Sequence, residues 1–403
     1  MLPACEVGSQ PILERWALPA ARLPVPDRVR LGVLGLGAVA QAVHLPILGR
    51  LHDRFTIAAI ADLSAGLLEA LGERYRVPWS ARFASLDAML AGASIDALLV
   101  LSSGSHGNAV LAGLDRGVAV FSEKPLAWTL DEADAIADRL AADPGRKLQV
   151  GYMKLYDPAV VEAVAVVADT ARVGPGRSIE VCVLHPTSER QLAHAHLLPP
   201  ATDVAAETIG ELRAAEDRLL ATALGQAANE LGRLYANVVL GSIVHELAII
   251  RALAGDPIGI DSVDVWPVDE WPPSVAITGR LGGDARFAIR WHFLPDYPAY
   301  REEVRVVTER ASIELEFPTP YLLNAPTKLR IAEASGPGRR DIQGSSMVEA
   351  FDEELLAFHA LVVDDTAPKA GVAEGRADIV TSQRIVAAHA RQLAIPIETE
   401  APA

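Results

Sequence analysis

The run Val29-Arg30-Leu31-Gly32-Val33-Leu34-Gly35-Leu36-Gly37-Ala38-Val39-Ala40 decides the fold. Its first half is a short apolar stretch suited to a buried strand. The second half, from Gly35, is a G-x-G-x-x-A turn that opens a helix. Gly35 permits the tight turn, Gly37 lets the backbone approach a pyrophosphate, and Ala40 allows close helix–strand packing. The helix N-terminus adds unpaired N–H groups and a positive dipole end, so Leu36, Ala38 and Val39 join the three small residues as cofactor contacts. Asp62 ends the next apolar run, 22 residues beyond Ala40. A carboxylate there accepts the adenosine ribose hydroxyls and repels a 2′-phosphate. Neither Leu63 nor Ser64 supplies a cation, so NAD is favoured over NADP.

Outward from that turn, the chain to about Tyr152 alternates apolar runs with amphipathic stretches. The runs are Val29–Leu34, Phe55–Ala61, Ile95–Leu101, Val118–Phe121 and Lys147–Val150, with helices predicted near 38–49, 64–75, 105–116 and 129–142. Such alternation predicts a parallel sheet covered on both faces, and right-handed crossovers make it a doubly wound Rossmann sheet. After Asp157 the texture changes. A helix (158–170) and a strand (178–185) precede a helical insertion over 187–233, broken at Pro199-Pro200. A strongly apolar helix follows at 235–254, then alternating strands between Ile258 and Ile331, and helices near 348–363 and 373–393. The division is thus an arm (1–28), a nucleotide-binding domain (29–152) and an α/β domain with a large open, mainly antiparallel sheet (153–403).

Thirty-six Lys and Arg against 52 Asp and Glu leave a net charge of −16. A surface that acidic repels phosphate backbones and anionic lipid, so no nucleic-acid or membrane partner is expected. Cys5 and Cys182 cannot form a disulfide framework, which fits a reducing cytoplasm. The uncharged stretch Leu31–Gly49 has membrane-spanning length, but Gly32, Gly35, Gly37, Gln41, His44 and Pro46 suit a strand–turn–helix instead. The N-terminal arm lacks a cationic start followed by an apolar run and does not read as a secretory signal.

Glu123-Lys124-Pro125 follows the run Val118–Phe121. Together with the glycine turn, it makes the chain resemble the Gfo/Idh/MocA oxidoreductases, the glucose–fructose oxidoreductase and inositol dehydrogenase group. Further matches are His44-Leu45-Pro46, Ser102–His106, Gly151-Tyr152-Met153-Lys154 and Asp157-Pro158. The likeness covers roughly 29–394 and is dense over 29–160 and 237–254. It implies NAD(P)-dependent hydride transfer at a carbinol of a sugar, cyclitol or similar polyol, in a homo-oligomer (dimer or tetramer). It also implies that Lys124 faces both nicotinamide and substrate, with His245 as its acid/base partner. Relatives usually carry aspartate four residues before that histidine, where this chain has Gly241, and many carry arginine at the position of Leu155.

Hydride transfer to a carbonyl builds charge on oxygen, so a proton donor must stand there, and Lys124 suits the task. Leu101, Ser102, His106 and Glu123 are further cofactor contacts, while His106, Lys154, Tyr156, Lys124 and His245 line the substrate pocket. His185, His194 and His196 carry no nearby carboxylate set, so no metal is expected. Three functions fit: a dehydrogenase, an enzyme using transient NAD-dependent oxidation for elimination or glycosidic cleavage, and a non-catalytic dinucleotide-binding regulator. The dehydrogenase leads, and the presence of both Lys124 and His245 ranks the regulator last.

Overall fold

The computed structural model describes residues 28–402. The arm predicted over 1–28 lies outside the described residues except for Arg28. Two sheets organise the rest.

The first holds six parallel strands: β1 (Val29–Leu34), β2 (Phe55–Ala61), β3 (Arg82–Phe83), β4 (Ala97–Val100), β5 (Ala119–Glu123) and β6 (Leu148–Gly151). Their order is β3-β2-β1-β4-β5-β6, so the predicted doubly wound Rossmann sheet is present. The near-continuous apolar runs of β1, β4 and β5 are buried because helices cover both faces. β3 is a two-residue strand, too short to leave a periodic signal. Strand order reverses between β2 and β4 on either side of β1, opening a crevice at the carboxyl ends of the strands.

The second sheet has eight strands: β7 (Gly176–His185), β8 (Gly259–Trp266), β9 (Ser274–Arg280), β10 (Arg286–Phe293), β11 (Arg301–Thr308), β12 (Ala311–Phe317), β13 (Lys328–Ser335) and β14 (Gly338–Ser345). The order is β14-β13-β12-β11-β7-β10-β9-β8, antiparallel except for the β10–β7 pair. Alternation sorts its faces. Val304, Val306, Ile313, Leu315, Leu329 and Ile331 point into the core, while Glu303, Arg305, Glu314 and Arg330 lie on the open face. β14 escapes the sequence pattern because it is an edge strand almost without buried residues.

Three helical regions carry detail beyond the sequence pattern. The insertion is helical over Ser188–Leu192, Ala206–Leu224 and Ala228–Arg233, with an irregular stretch around Pro199-Pro200. The apolar helix is wound in two ways, π-helical over Leu234–Ile243 and α-helical over Val244–Ala254. Helical structure from Ala206 to Ala254 is long and apolar enough to cross a membrane, but 67% of its apolar window is buried inside the protein. Finally, Phe351, Leu355, Phe358 and Leu361 of the helix Ala350–Asp364 share one core cluster with β1 and the first helix. Residues late in the chain thus return to complete the core beside the first sheet.

Candidate active site

At the β1 end of the crevice the surface is made of backbone. Gly35 sits at φ +90°, and its N–H donates to the Ala61 carbonyl at 2.9 Å. A Cβ there would stand 2.6 Å from the Ser102 nitrogen, so the loops after β1 and β4 touch only because Gly35 has no side chain. A Cβ on Gly37 would meet nothing within 4 Å; that cradle is open. Leu36 and Leu101 bury their side chains in the core and offer only backbone to a ligand, whereas Ala38 is exposed and Ala40 packs against the strand. The Asp62 carboxylate accepts the Leu36 N–H at 2.7 Å and the Ser64 N–H at 2.8 Å, which fixes it beside the turn. An open glycine cradle, a helix N-terminus and an aligned carboxylate together fit a dinucleotide.

Two residues predicted as cofactor contacts turn their polar atoms to protein groups. Glu123 binds His44 Nε2 through Oε1 at 2.8 Å and accepts the Lys124 N–H through Oε2 at 3.2 Å. Burial alone would raise its carboxyl, but the bond and charge of His44 hold it below the usual carboxylate range. His106 is 1% exposed, its Nδ1 2.7 Å from the Glu123 carbonyl and its Nε2 2.6 Å from the Ser102 carbonyl. It therefore stitches the loop after β4 to the end of β5, and both ring nitrogens are committed to protein. Burial pushes its pKa down.

Lys124 follows β5 through a cis bond to Pro125 and reaches across the cleft. Its Nζ donates to the Gly241 carbonyl at 2.5 Å. Gly241 thus holds the lysine through a peptide oxygen. A side chain at Gly241 would crowd the Ala236 carbonyl at 3.2 Å, five residues back in the π-helical winding. Burial lowers the Lys124 pKa, opposed by the charges of Glu123 and Glu246. His245 stands one turn beyond Gly241, where the winding has become α-helical. Burial, then the Lys124 and Lys154 ammonium groups, push its pKa well below the ordinary imidazole value, so the ring is neutral at pH 7.

Lys154, predicted for the pocket lining, is only 6% exposed. Its Nζ lies 2.5 Å from Glu302 Oε2 and 3.5 Å from Glu246 Oε1, and 5.1 Å above the Phe317 ring. The Tyr300 hydroxyl donates to Glu302 at 2.6 Å. Burial, opposed by Lys154 and reinforced by Glu302, raises Glu246 to about 7. Tyr156 is drawn elsewhere: its hydroxyl accepts the Lys369 N–H at 3.2 Å, with the Lys369 ammonium over its ring. The structure therefore brings Lys124, His245 and Lys154 within electrostatic reach of one another and leaves Tyr156 at the junction with the C-terminal helices.

Several polar groups around this centre carry no sequence motif. Trp291 Nε1 donates to Ser242 Oγ at 2.9 Å. His185, whose pKa burial lowers with help from Lys124, is ringed by Trp291, Phe293 and Tyr300 at centroid distances of 5.4, 6.0 and 5.8 Å. Glu302 did leave a trace, sharing alternation parity with buried Val304 and Val306, where a carboxylate demands a buried partner. His194 bonds the Tyr321 carbonyl, and His196 adopts a left-handed backbone at φ +47°. Neither reaches the site around Lys124, and among the described residues no three His, Cys, Asp or Glu form a metal-holding group.

Comparison with known proteins converges on the same half of the chain. Residues 29–152 match the Gfo/Idh/MocA family model, described as an oxidoreductase family with an NAD-binding Rossmann fold. Over 142 residues the chain is 34% identical to inositol 2-dehydrogenase of Paracoccus denitrificans, which covers 35% of this chain and 42% of that protein. The chain thus spans about two fifths of the length of the curated relatives it matches. Aldose–aldose oxidoreductase from Caulobacter crescentus superposes with a TM-score of 0.68 at 18% identity, covering 92% of this chain and 99% of that one. Scyllo-inositol dehydrogenase from Lactobacillus casei gives a TM-score of 0.65 at 16% identity, over 93% and 99%. At such identities these structures establish the fold of both halves. The similarity to the Gfo/Idh/MocA oxidoreductase family is thus carried by residues 29–152.

Proposed function

We propose that this chain is an NAD-dependent oxidoreductase that interconverts a secondary alcohol and a ketone on a cyclitol, a sugar or a related polyol. One observation carries the reading: the Lys124 side chain, from the end of the first sheet, reaches the Gly241 carbonyl of the second half, one turn from His245. Gly35 to Ala40 and Asp62 would hold the dinucleotide, whose nicotinamide supplies the hydride acceptor or donor when bound. The Asp62 carboxylate, with no cation at Leu63 or Ser64, favours NAD over NADP.

In the oxidation direction the substrate hydroxyl must lose its proton as the C–O double bond forms. An uncharged Lys124 amine would accept that proton, and burial favours that form. His245, neutral and without an aspartate to orient it, takes the proton onward or anchors a neighbouring hydroxyl. In reduction the same groups return the proton to the alkoxide. His106 and Glu123 act as positioning residues that fix the Lys124 backbone. Lys154 contributes positive charge near the pocket while Glu246 and Glu302 neutralise it. Polyol substrates suit this array of donors, and the named relatives are inositol and aldose oxidoreductases. The charged open face of the second sheet is the surface we assign to pairing with a second copy.

NADH formation from NAD with a panel of inositols and aldoses tests the proposal. Lys124→Ala should slow turnover by roughly 10²–10⁴-fold while leaving NADH affinity intact. Wild-type turnover in that variant would remove Lys124 from the chemistry. NADH binding without turnover of any polyol would instead favour the regulator reading.

A further inference from the structure

The insertion over 187–233 does more than extend the second domain. Leu192, Ala195, Leu197 and Leu198 pack on the same core cluster as β1 and its helix, and the Leu198 N–H donates to Gln41 Oε1 at 3.0 Å. Gln41 in turn donates to the Leu36 carbonyl of the glycine turn at 2.8 Å. Further along, Glu216 lies against Gly104 in the loop after β4, where a Cβ would stand 2.8 Å from Oε1. The insertion is therefore fastened across the adenosine end of the dinucleotide crevice, and its side chains there are placed by packing.

Asp203 is the residue this fastening delivers. Its Oδ2 accepts the Gly66 N–H at 2.9 Å, 137 residues away in sequence, at the start of the helix Ala65–Arg74. Hydrogen bonds from that N–H and from the Ser64 hydroxyl hold the Asp203 carboxyl below the usual carboxylate range, although the side chain is exposed. Ser64 also donates its backbone N–H to Asp62. Two carboxylates from distant parts of the chain thus flank one serine, where the second strand hands over to its helix.

We infer that Asp203 is a second specificity residue for the cofactor, excluding NADP by occupying the helix N-terminus a 2′-phosphate would use. The inference rests on the dinucleotide reading of Gly35 to Asp62. In this fold the acidic residue after the second strand reads the ribose 2′-hydroxyl, and a 2′-phosphate is accommodated beside it by a cation. Free N–H groups and a hydroxyl at a helix start are themselves ready phosphate ligands. Here those donors are already engaged by an anion, so a 2′-phosphate meets both a competitor and a like charge. Asp62 alone would repel the phosphate from one side; Asp203 closes the other.

Fluorescence titration of the full-length protein with NADH and NADPH tests this, comparing the unaltered chain with Asp203→Asn and Asp203→Ala while Asp62 stays. Asparagine keeps an acceptor for Gly66 and removes only the charge; alanine removes both. The NADPH-to-NADH affinity ratio should rise about tenfold in the alanine variant and by less in the asparagine variant, as expected for losing one charge contact near a surface. A ratio unchanged in both variants, with NADH still bound, overturns this inference and leaves the cofactor reading standing. Failure of the unaltered protein to bind NADH overturns both.

Discussion

At the nucleotide end of the cleft, binding surface is created by what is missing: Gly35 and Gly37 clear space for neighbouring backbone and for a phosphate. At the proposed substrate end it is created by charges taken out of water, with Lys154, Glu246 and Glu302 all under 10% exposed and Lys124 and His245 half-buried within reach of them. The first solution depends on local conformation and survives any change that keeps the turn. The second depends on groups from four separate elements meeting, and each buried charge is stable only while its partners stay.

That contrast can be broken most sharply at Glu302. Its removal, as Glu302→Leu, leaves Lys154 with only the more distant Glu246 and should destabilise the fold by roughly 3–5 kcal/mol in urea unfolding. A loss near zero would mean that the substrate end tolerates unpaired charge and that the comparison fails.

The glycines sharpen it from the other side. Gly35→Ala forces a Cβ into the Ser102 backbone at a left-handed φ and should cost about 1–3 kcal/mol of stability. Gly37→Ala meets no protein atom, so stability should stay within about 0.5 kcal/mol. Its NADH affinity should nevertheless fall about tenfold or more, because the methyl enters the cradle. Equal stability losses in the two variants would show that both glycines serve the turn alone.

Glu246 gives an effect spread over pH rather than read at one condition. Its folded pKa is raised to about 7. Between the ordinary carboxylate value and pH 7 the unfolded chain has released a proton that the folded chain keeps. Stability from this group is therefore full below the unfolded pKa and is lost as pH rises toward 7. Glu246→Gln should remove that component, whose slope cannot exceed about 1.4 kcal/mol per pH unit. Unfolding curves at a series of pH values decide it; identical slopes would mean that Glu246 is ionised throughout.

Legibility follows the same division. The nucleotide-binding half was readable because its signals are short-range: strand periodicity, the glycine turn, Asp62 at a fixed offset and Glu123-Lys124-Pro125 after a strand. The neighbours of Lys124 were not, because Gly241 acts through a backbone oxygen and no side-chain pattern reports one. Nothing local announces the partner of Lys154, because Glu302 lies 148 residues away. For His106 and Glu123 only the fold reveals that their polar atoms engage protein groups. The return of Ala350–Asp364 to the nucleotide-binding core is likewise a long-range event that local amphipathicity cannot assign to one half or the other.

Because a peptide oxygen anchors Lys124, no single side-chain replacement can delete the anchor, and no protonation can switch it off. What can move it is helix register. The π winding of Leu234–Ile243 accommodates one more residue between hydrogen-bonded partners than an ordinary helix does. Deleting one residue upstream of Gly241 would let the segment relax into α turns and swing that oxygen away from the lysine. In this fold, chain length within one helix is thus as much a determinant of the reactive centre as any residue in it.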